Sequence, residues 1–207
     1  MKRLTYYYKT ENTYDFPVTD HQFLLRCMPR MNASQSVLSA SVLLSPDVGY
    51  TQQQDSFGNV IQIGRIGGLH DHFSYTAIGE VEVDHTQRNQ SALHPMYKYP
   101  TALTRMSAKM EKLAAQYASM PKTLDTVVLL SGEVHFAIRY TPDVTGVRTG
   151  ADEAFGLGAG VCQDYAHVLI ALLRAESIPA RYVCGLSVGE GVTHAWAEAY
   201  LDGCWIG

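Results

Sequence analysis

The chain is poor in cysteine, and the cysteines it has are not paired. Cys27, Cys162, Cys184 and Cys204 are widely scattered with no C-x-x-C spacing, which suits reduced thiols in a cytoplasmic protein better than a disulfide framework. Charge is also sparse. Sixteen Lys+Arg against twenty Asp+Glu give a formal charge of −4, with no block of like charges. The basic patch of a dedicated nucleic-acid binder is therefore missing. No apolar run approaches the roughly 20 residues that a spanning helix needs, so no membrane partner is expected. Met1-Lys2-Arg3 leads into no apolar stretch and does not read as a signal peptide. Internal repeats and low-complexity segments are lacking. What is present is 46% apolar residue over 207 positions, enough for one ordinary domain or two small ones, and too much for disorder.

The first eighty-odd residues read as strands. Residues 21–28 alternate, with Phe23, Leu25 and Cys27 on one side and Leu24 and Arg26 on the other. A second apolar stretch, 37–44, stops at Ser45-Pro46-Asp47. Phe57-Gly58-Asn59-Val60 reads as a tight turn, and 73–83 supplies two more short candidates around Gly79. Short strands split by Gly, Pro and Asp predict an antiparallel β-sandwich. Residues 85–100 are polar and contain proline, as a linker would. The period then changes to three and four. Leu103, Met106, Met110, Leu113 and Tyr117 share a helical face that Thr101 can cap, and Val127, Leu130, Val134 and Ile138 form a second.

Gly156-Leu157-Gly158-Ala159-Gly160-Val161-Cys162 leads into a strong helix whose buried face is marked by Ala166, Leu169, Ile170 and Leu173. Cys162 is thus predicted at a helix N-terminus, where free backbone N–H groups and the positive dipole end favour a thiolate. The same N–H groups can receive an oxyanion. An ordinary cysteine is only a few per cent ionised at neutral pH, so a nucleophilic role demands a histidine elsewhere in the fold. Cys27, Cys184 and Cys204 read as packing residues in strand-like stretches. A phosphate cradle is the competing use of these glycines, but that motif should follow a buried strand. Here Thr149 and Asp152 read as a helix cap instead.

After Ile178-Pro179, residues 180–186 read as a strand, followed by a glycine-rich loop over 187–193. His194-Ala195-Trp196-Ala197-Glu198-Ala199-Tyr200-Leu201 then alternates strictly, with His194, Trp196, Glu198 and Tyr200 on one face. His194 is placed to reach the Cys162 thiol. His70, His72, His85 and His167 are weaker candidates, and His167 lies about 140° around the helix from Cys162. His70-Asp71-His72 offers two imidazoles on one strand face, but further metal ligands are not apparent. Glu198 is about 13 Å along the strand from His194, too far to orient it. If Asp202-Gly203 is a two-residue turn, Leu201 pairs with Cys204, Tyr200 with Trp205 and Glu198 with Gly207. The residues opposite Trp196 and His194 would then follow Gly207, so the third group of a triad is expected outside the chain, which would be a fragment.

Gly160-Val161-Cys162-Gln163-Asp164-Tyr165-Ala166-His167, then Ile178-Pro179-Ala180-Arg181-Tyr182-Val183, then His194-Ala195-Trp196-Ala197-Glu198 closely resemble the bacterial transglutaminase-like proteins. Asp55-Ser56-Phe57-Gly58-Asn59 is similar to the D-x-x-G-N element of that family's N-terminal β-rich domain. The resemblance implies an α+β chain, with the sandwich over 1–88 and a papain-like core over 95–207, helices packed on an antiparallel sheet and incomplete at the C-terminus. It implies a Cys-His-Asp triad with Cys162 as nucleophile and His194 as base. Trp205-Ile206-Gly207 begins the W-x-x-x-D pattern that supplies the aspartate.

The expected chemistry is acyl transfer at a glutamine side chain or a peptide bond, through a Cys162 thioester resolved by water or by an amine. Partners would be a protein or peptide substrate and a small amine acceptor, with no cofactor and no metal. Asp164 and Glu198 are expected to be structural, as a first-turn acid and a strand-face hydrogen-bonding residue. Trp196 either walls the acyl site or packs. The alternative is a scaffold that has kept the fold and lost the chemistry.

Overall fold

Tyrosine, threonine and lysine alternate through the opening segment, with Leu4, Tyr6 and Tyr8 half-buried and Thr5, Tyr7 and Lys9 exposed. That pattern makes one long strand, β1 (Lys2–Val18), in a computed structural model that describes residues 1–191 and 193–207. Five more strands follow: β2 (His21–Leu25), β3 (Gln35–Ser45), β4 (Tyr50–Gln54), β5 (Val60–Ile66) and β6 (His70–Val83). They form two antiparallel sheets, ordered β1-β6-β3 and β2-β5-β4. Phe23 and Leu25 of one sheet and Ile66 beside them share a core with Val42, Phe73 and Ala77 of the other. The unit Met1–Arg88 is therefore a sandwich.

Gly79 does not divide its segment into two strands. It lies inside the single β6, where a Cβ would come within 2.1 Å of the Ser39 carbonyl oxygen. A close approach of neighbouring backbone, not a turn, explains this glycine. The turn at Gly58 is as expected, with φ of 78°. Asp55 Oδ1 accepts the N–H groups of Phe57 and Asn59, both at 2.9 Å, which fixes that turn.

The second unit, Asn89–Gly207, contains α1 (Ala108–Ala114), α2 (Leu124–Ala137), β7 (Arg139–Tyr140), α3 (Ala151–Leu157), β8 (Ala159–Gly160), α4 (Cys162–Ala175), β9 (Ala180–Gly185), β10 (His194–Leu201) and β11 (Cys204–Ile206). The main sheet is antiparallel, ordered β11-β10-β9, and α4 packs on it. Ala166, Val168, Ile170, Ala171, Leu172 and Leu173 are all buried, so α4 is enclosed nearly all round. Met110, Leu130, Val134, Ala151 and Ala154 from the other helices close over it. The chain is thus α+β, with helices on an antiparallel sheet.

Two local expectations change. The helix expected from Thr101 starts later: Ser107 caps α1 by accepting the Met110 N–H at 3.4 Å, while Thr101 caps only a single 3-10 turn. The presumed linker is also bound down from residue 89. Trp205 donates its backbone N–H to Asn89 at 2.8 Å and its indole N–H to the Ser91 carbonyl at 3.0 Å. Arg174 donates to the carbonyls of Tyr97 and Tyr99 at 3.0 and 2.7 Å.

Candidate active site

The glycines before Cys162 are not one loop. Gly156 is inside α3, Gly158 ends that helix in the left-handed conformation (φ 64°), and Gly160 lies in β8, paired in parallel with Tyr140 of β7. A Cβ on Gly160 would lie 2.5 Å from Asp164 Oδ2. The last glycine therefore makes room for a side chain of the next helix. Gly150, not Thr149, is the N-cap of α3, and Thr149 Oγ1 accepts the Gly146 N–H instead.

Cys162 is the first residue of α4 and is half-buried. The turn it begins is held from below by Asp164, which is fully buried. Asp164 Oδ2 accepts the Val161 N–H and the Thr145 hydroxyl, both at 2.7 Å. Gln163 ties the same turn outward by donating to the Gly146 carbonyl at 3.0 Å. The backbone N–H groups of Cys162 and Gln163 have no carbonyl a turn earlier to bond, as at any helix start. They are positioned to receive negative charge at an oxygen beside the sulfur.

Around this turn the structure gathers residues that the sequence did not connect. His167, buried, packs against Tyr182 of β9 with ring centroids 5.2 Å apart and the rings tilted by 38°. Burial pushes the His167 imidazole below its ordinary value, while Asp164 and a backbone hydrogen bond to Thr149 pull the other way. Burial also pushes the Tyr182 phenol up to about 12, helped by Cys184, Cys162 and Asp164. Tyr182 is thus within electrostatic reach of the Cys162 thiol. Alternation in β9 could have put it on the helix side with Ala180, but nothing in the sequence said which part of α4 it would meet.

His194 reaches the same end of the layer by a return path. α4 has 14 residues and is about 21 Å long. After a four-residue reversal β9 runs back, Arg174 near the end of α4 donating to the Ala180 carbonyl at 2.8 Å. From Ala180 to Gly185 is about 17 Å at strand rise. His194 pairs with Gly185, which brings the start of β10 level with the start of α4. His194 is exposed and belongs by alternation with Trp196 and Glu198, whereas Ala199 and Leu201 share the core with α4. Cys162 and His194 are not hydrogen-bonded to one another.

The hairpin register is Leu201 with Cys204, Tyr200 with Trp205 and Ala199 with Ile206. Asp202 and Gly203 have φ of 50° and 80°, the paired positive values of a type I′ turn. On the face away from the core, Glu198 pairs with Arg181 at 2.6 Å, and Arg181 lies 4.0 Å from the Trp205 ring. Trp196 lies over Gly185, where a Cβ would be 2.7 Å from its ring. Both carboxylates expected to be structural, Asp164 and Glu198, have structural partners.

The remaining candidates lie elsewhere. His70 is within 3.1 Å of His21 in the sandwich, with ring centroids 5.3 Å apart, and no cluster of three metal-ligating side chains occurs among the described residues. Cys27 is half-buried and its thiol is pushed up to about 11 by burial. Cys204 is buried as expected of a packing residue, but Cys184 is exposed. No helix among the described residues is long and apolar enough to cross a membrane.

Comparison with known proteins now adds to this geometry. Residues 111–207 match the model of the transglutaminase-like superfamily, and residues 4–82 match that of the bacterial transglutaminase-like N-terminal region. An uncharacterized protein of Mycobacterium leprae is 26% identical over 99% of this chain and 82% of its own length. A protein-glutamine gamma-glutamyltransferase of Pseudomonas aeruginosa is 29% identical over 114 residues, 55% of this chain but 16% of that protein. The crystal structure of a candidate cysteine protease from Cytophaga hutchinsonii superposes with a TM-score of 0.78 at 24% identity, covering 98% of this chain and 77% of that one. The fold is shared with that structure, and with its core and its N-terminal region each matched, the chain belongs to the transglutaminase-like superfamily and carries the N-terminal region of the bacterial members.

Proposed function

We propose that this chain carries the catalytic core of a thiol enzyme that acts on amide bonds, with Cys162 as nucleophile and His194 as base. The observation that carries the reading is the position of Cys162 as the first residue of α4, inside the matched core. His194 takes the thiol proton, and the sulfur attacks the carbonyl carbon of a glutamine side chain or a peptide bond. The negative oxygen so formed is received by the N–H groups at the start of α4. The intermediate collapses as the C–N bond breaks, the His194 imidazolium returns the proton to the leaving amine, and a thioester remains on Cys162. Water or a second amine then attacks the thioester, again losing its proton to His194, and the thiol is restored. The likeness to a protein-glutamine gamma-glutamyltransferase supports a glutamine donor.

The substrate is a protein or peptide, with a small amine as alternative acceptor, and neither nucleic acid nor a membrane takes part. The loop that precedes His194, whose Val192 lies outside the described residues, contributes to substrate choice in this reading. A cytoplasmic location fits the four free thiols, and recovery of the protein in another compartment on cell fractionation would overturn it.

The test is the pH dependence of alkylation at each cysteine, read by mass spectrometry. Fast modification of Cys162 should persist well below pH 7 and be lost in His194→Ala, with Cys27 and Cys204 as slow internal controls. A Cys162 that titrates like an ordinary thiol overturns the pairing. The exposed position of His194, not bonded to Cys162, favours one second reading, a binding protein that keeps the fold without the chemistry. Cys162→Ala separates the two: an enzyme loses turnover, whereas a binding protein keeps its partner.

A further inference from the structure

The inner face of a sandwich is apolar where it packs, and at one edge of the N-terminal unit it is not. β4 is an outermost strand of the sheet β2-β5-β4, as β3 is of the sheet β1-β6-β3. Leu25 of β2 belongs to the core, and the residues opposite it along the ladder are Gln62 of β5 and then Gln52 of β4. Residues directly opposite share a face, so both glutamines point inward, and Gln54, two positions on, does the same. Gln62 is completely buried and donates its amide to Gln52 Oε1 at 3.2 Å, whereas Gln52 and Gln54 stay exposed. Polar side chains that face inward and still meet solvent mark a cavity, not packed core.

A cavity of about 320 Å³ lies there, within the size range of ligand sites. Val37 of β3, Val60 of β5, and Met28 and Met31 from the segment between β2 and β3 supply its apolar wall. Gln52, Gln54 and Arg30 are its polar members. The Arg30 guanidinium lies over Gly58, another lining residue, 3.2 Å from where a Cβ would be. Its Nη1 donates to the Phe57 carbonyl at 3.1 Å. No carboxylate pairs with Arg30 among the described residues, because Asp55, the acid of the same turn, is bonded to Arg26 at 3.3 Å. The turn thus carries two guanidinium groups against one carboxylate, an excess of positive charge beside the cavity.

We propose that this cavity binds the C-terminal residue of a peptide or protein, its carboxylate on Arg30 and its apolar side chain among the methionines and valines. Complementarity specifies that ligand. A guanidinium with no acid of its own takes a carboxylate through parallel N–H donors. The apolar wall beside it takes a side chain carried on the adjacent carbon. Gln52 and Gln54 offer amide groups to the backbone N–H and C=O that precede such a residue. A free aliphatic acid would satisfy the first two features and offer nothing to the glutamines. An aspartate or glutamate side chain would bring the charge without the apolar group. The proposal is independent of the chemistry at Cys162.

Fluorescence anisotropy of a labelled tetrapeptide ending in Ala-Leu, with a free carboxylate and no glutamine, should show saturable binding with a Kd on the order of 100 μM. The same peptide amidated at its C-terminus should bind roughly tenfold more weakly, or worse. Arg30→Gln removes the charge while keeping a donor for the Phe57 carbonyl, and should weaken the acid peptide to a similar degree. Gln54→Glu, at an exposed position of an edge strand, leaves the core untouched and sets a like charge on the inward face. It should also raise the Kd about tenfold, with the far-UV circular dichroism unchanged. No saturable binding up to about 1 mM overturns the proposal, and so does equal binding of acid and amide. Octanoate displacing the peptide at equal concentration would give the cavity to a free acid and overturn it likewise. A Kd indifferent to both Arg30→Gln and Gln54→Glu would place the peptide elsewhere and overturn it too.

Discussion

Asp164 is the residue whose loss should most directly disturb the start of α4. It is fully buried, and its Oδ2 accepts two hydrogen bonds at 2.7 Å, from the Val161 N–H and the Thr145 hydroxyl. Hydrogen bonds to a charged acceptor are worth about 1.5–3 kcal/mol each. Removing the carboxylate also relieves its own burial cost, so the two do not simply add. In Asp164→Ala the Thr145 hydroxyl can turn to another acceptor, but the Val161 N–H cannot. We expect a net loss of about 2–4 kcal/mol. Asp164→Asn keeps an oxygen where both donors point and should cost only about 1 kcal/mol, the difference between a charged and a neutral acceptor. Urea unfolding followed by tryptophan fluorescence is the suitable assay, since both tryptophans, Trp196 and Trp205, lie in the second unit. The rate of Cys162 alkylation, measured alongside, should fall in Asp164→Ala as the turn loosens. A loss below about 1 kcal/mol in the alanine variant, or equal losses in alanine and asparagine, would refute the account of this turn.

Three further outcomes follow from neighbouring contacts. Gly160→Ala should cost about 1–3 kcal/mol, because its Cβ would press on Asp164 at 2.5 Å, whereas Gly156→Ala, with open space around it, should be neutral or stabilising; the same urea titration compares them. Glu198→Ala should cost about 3–5 kcal/mol by stranding Arg181, whose side chain is 9% exposed, and Arg181→Leu with Glu198→Leu should recover most of it in thermal melts. His167 should make the second unit less stable in mild acid. Its folded pKa is lowered by burial, so the unfolded chain binds the proton first. The stability it contributes is complete above the unfolded value of about 6.5 and is lost as pH falls below it. Urea midpoints between pH 7.5 and 5 should drop in the parent chain and much less in His167→Gln; equal slopes would count against a buried neutral imidazole.

How far the sequence could be read depended on how local the determining forces were. The β2 and β10 strands alternate plainly because each has one face on a core, and both were legible. Tyr50–Gln54 of β4 is exposed at every position, so no pattern marked it. β6 was divided at Gly79 because a glycine inside a strand pattern reads as a break, when its cause is the carbonyl of Ser39 on a neighbouring strand 40 positions away. In α4 the expected buried face was right but too narrow. Val168 and Leu172 are buried as well, since the sheet covers one side of the helix and α1, α2 and α3 cover the others. A periodicity argument finds one face and has no means of counting how many elements will surround it.

The candidate site divides along the same line. That Cys162 begins a helix was readable because the change from glycine to a periodic apolar run lies within a dozen residues. That Asp164 turns back to hold Val161 belongs to the same local geometry, a third-position acid meeting an N–H at the helix start. Its second partner, Thr145, comes from a segment 19 residues earlier and carried no signal. Tyr182 and His167 meet only because β9 reverses over α4, and their sequence spacing says nothing of the depth at which they touch. The distance from the start of α4 to the start of β10 is set in the same way, by a helix and a strand of nearly equal length joined by a short reversal. Lengthening that reversal by a few residues would leave the Cys162 and His194 motifs unchanged in the sequence while shifting the start of β10 along the helix. The matched lengths of α4 and β9 are what set the start of β10 level with the start of α4.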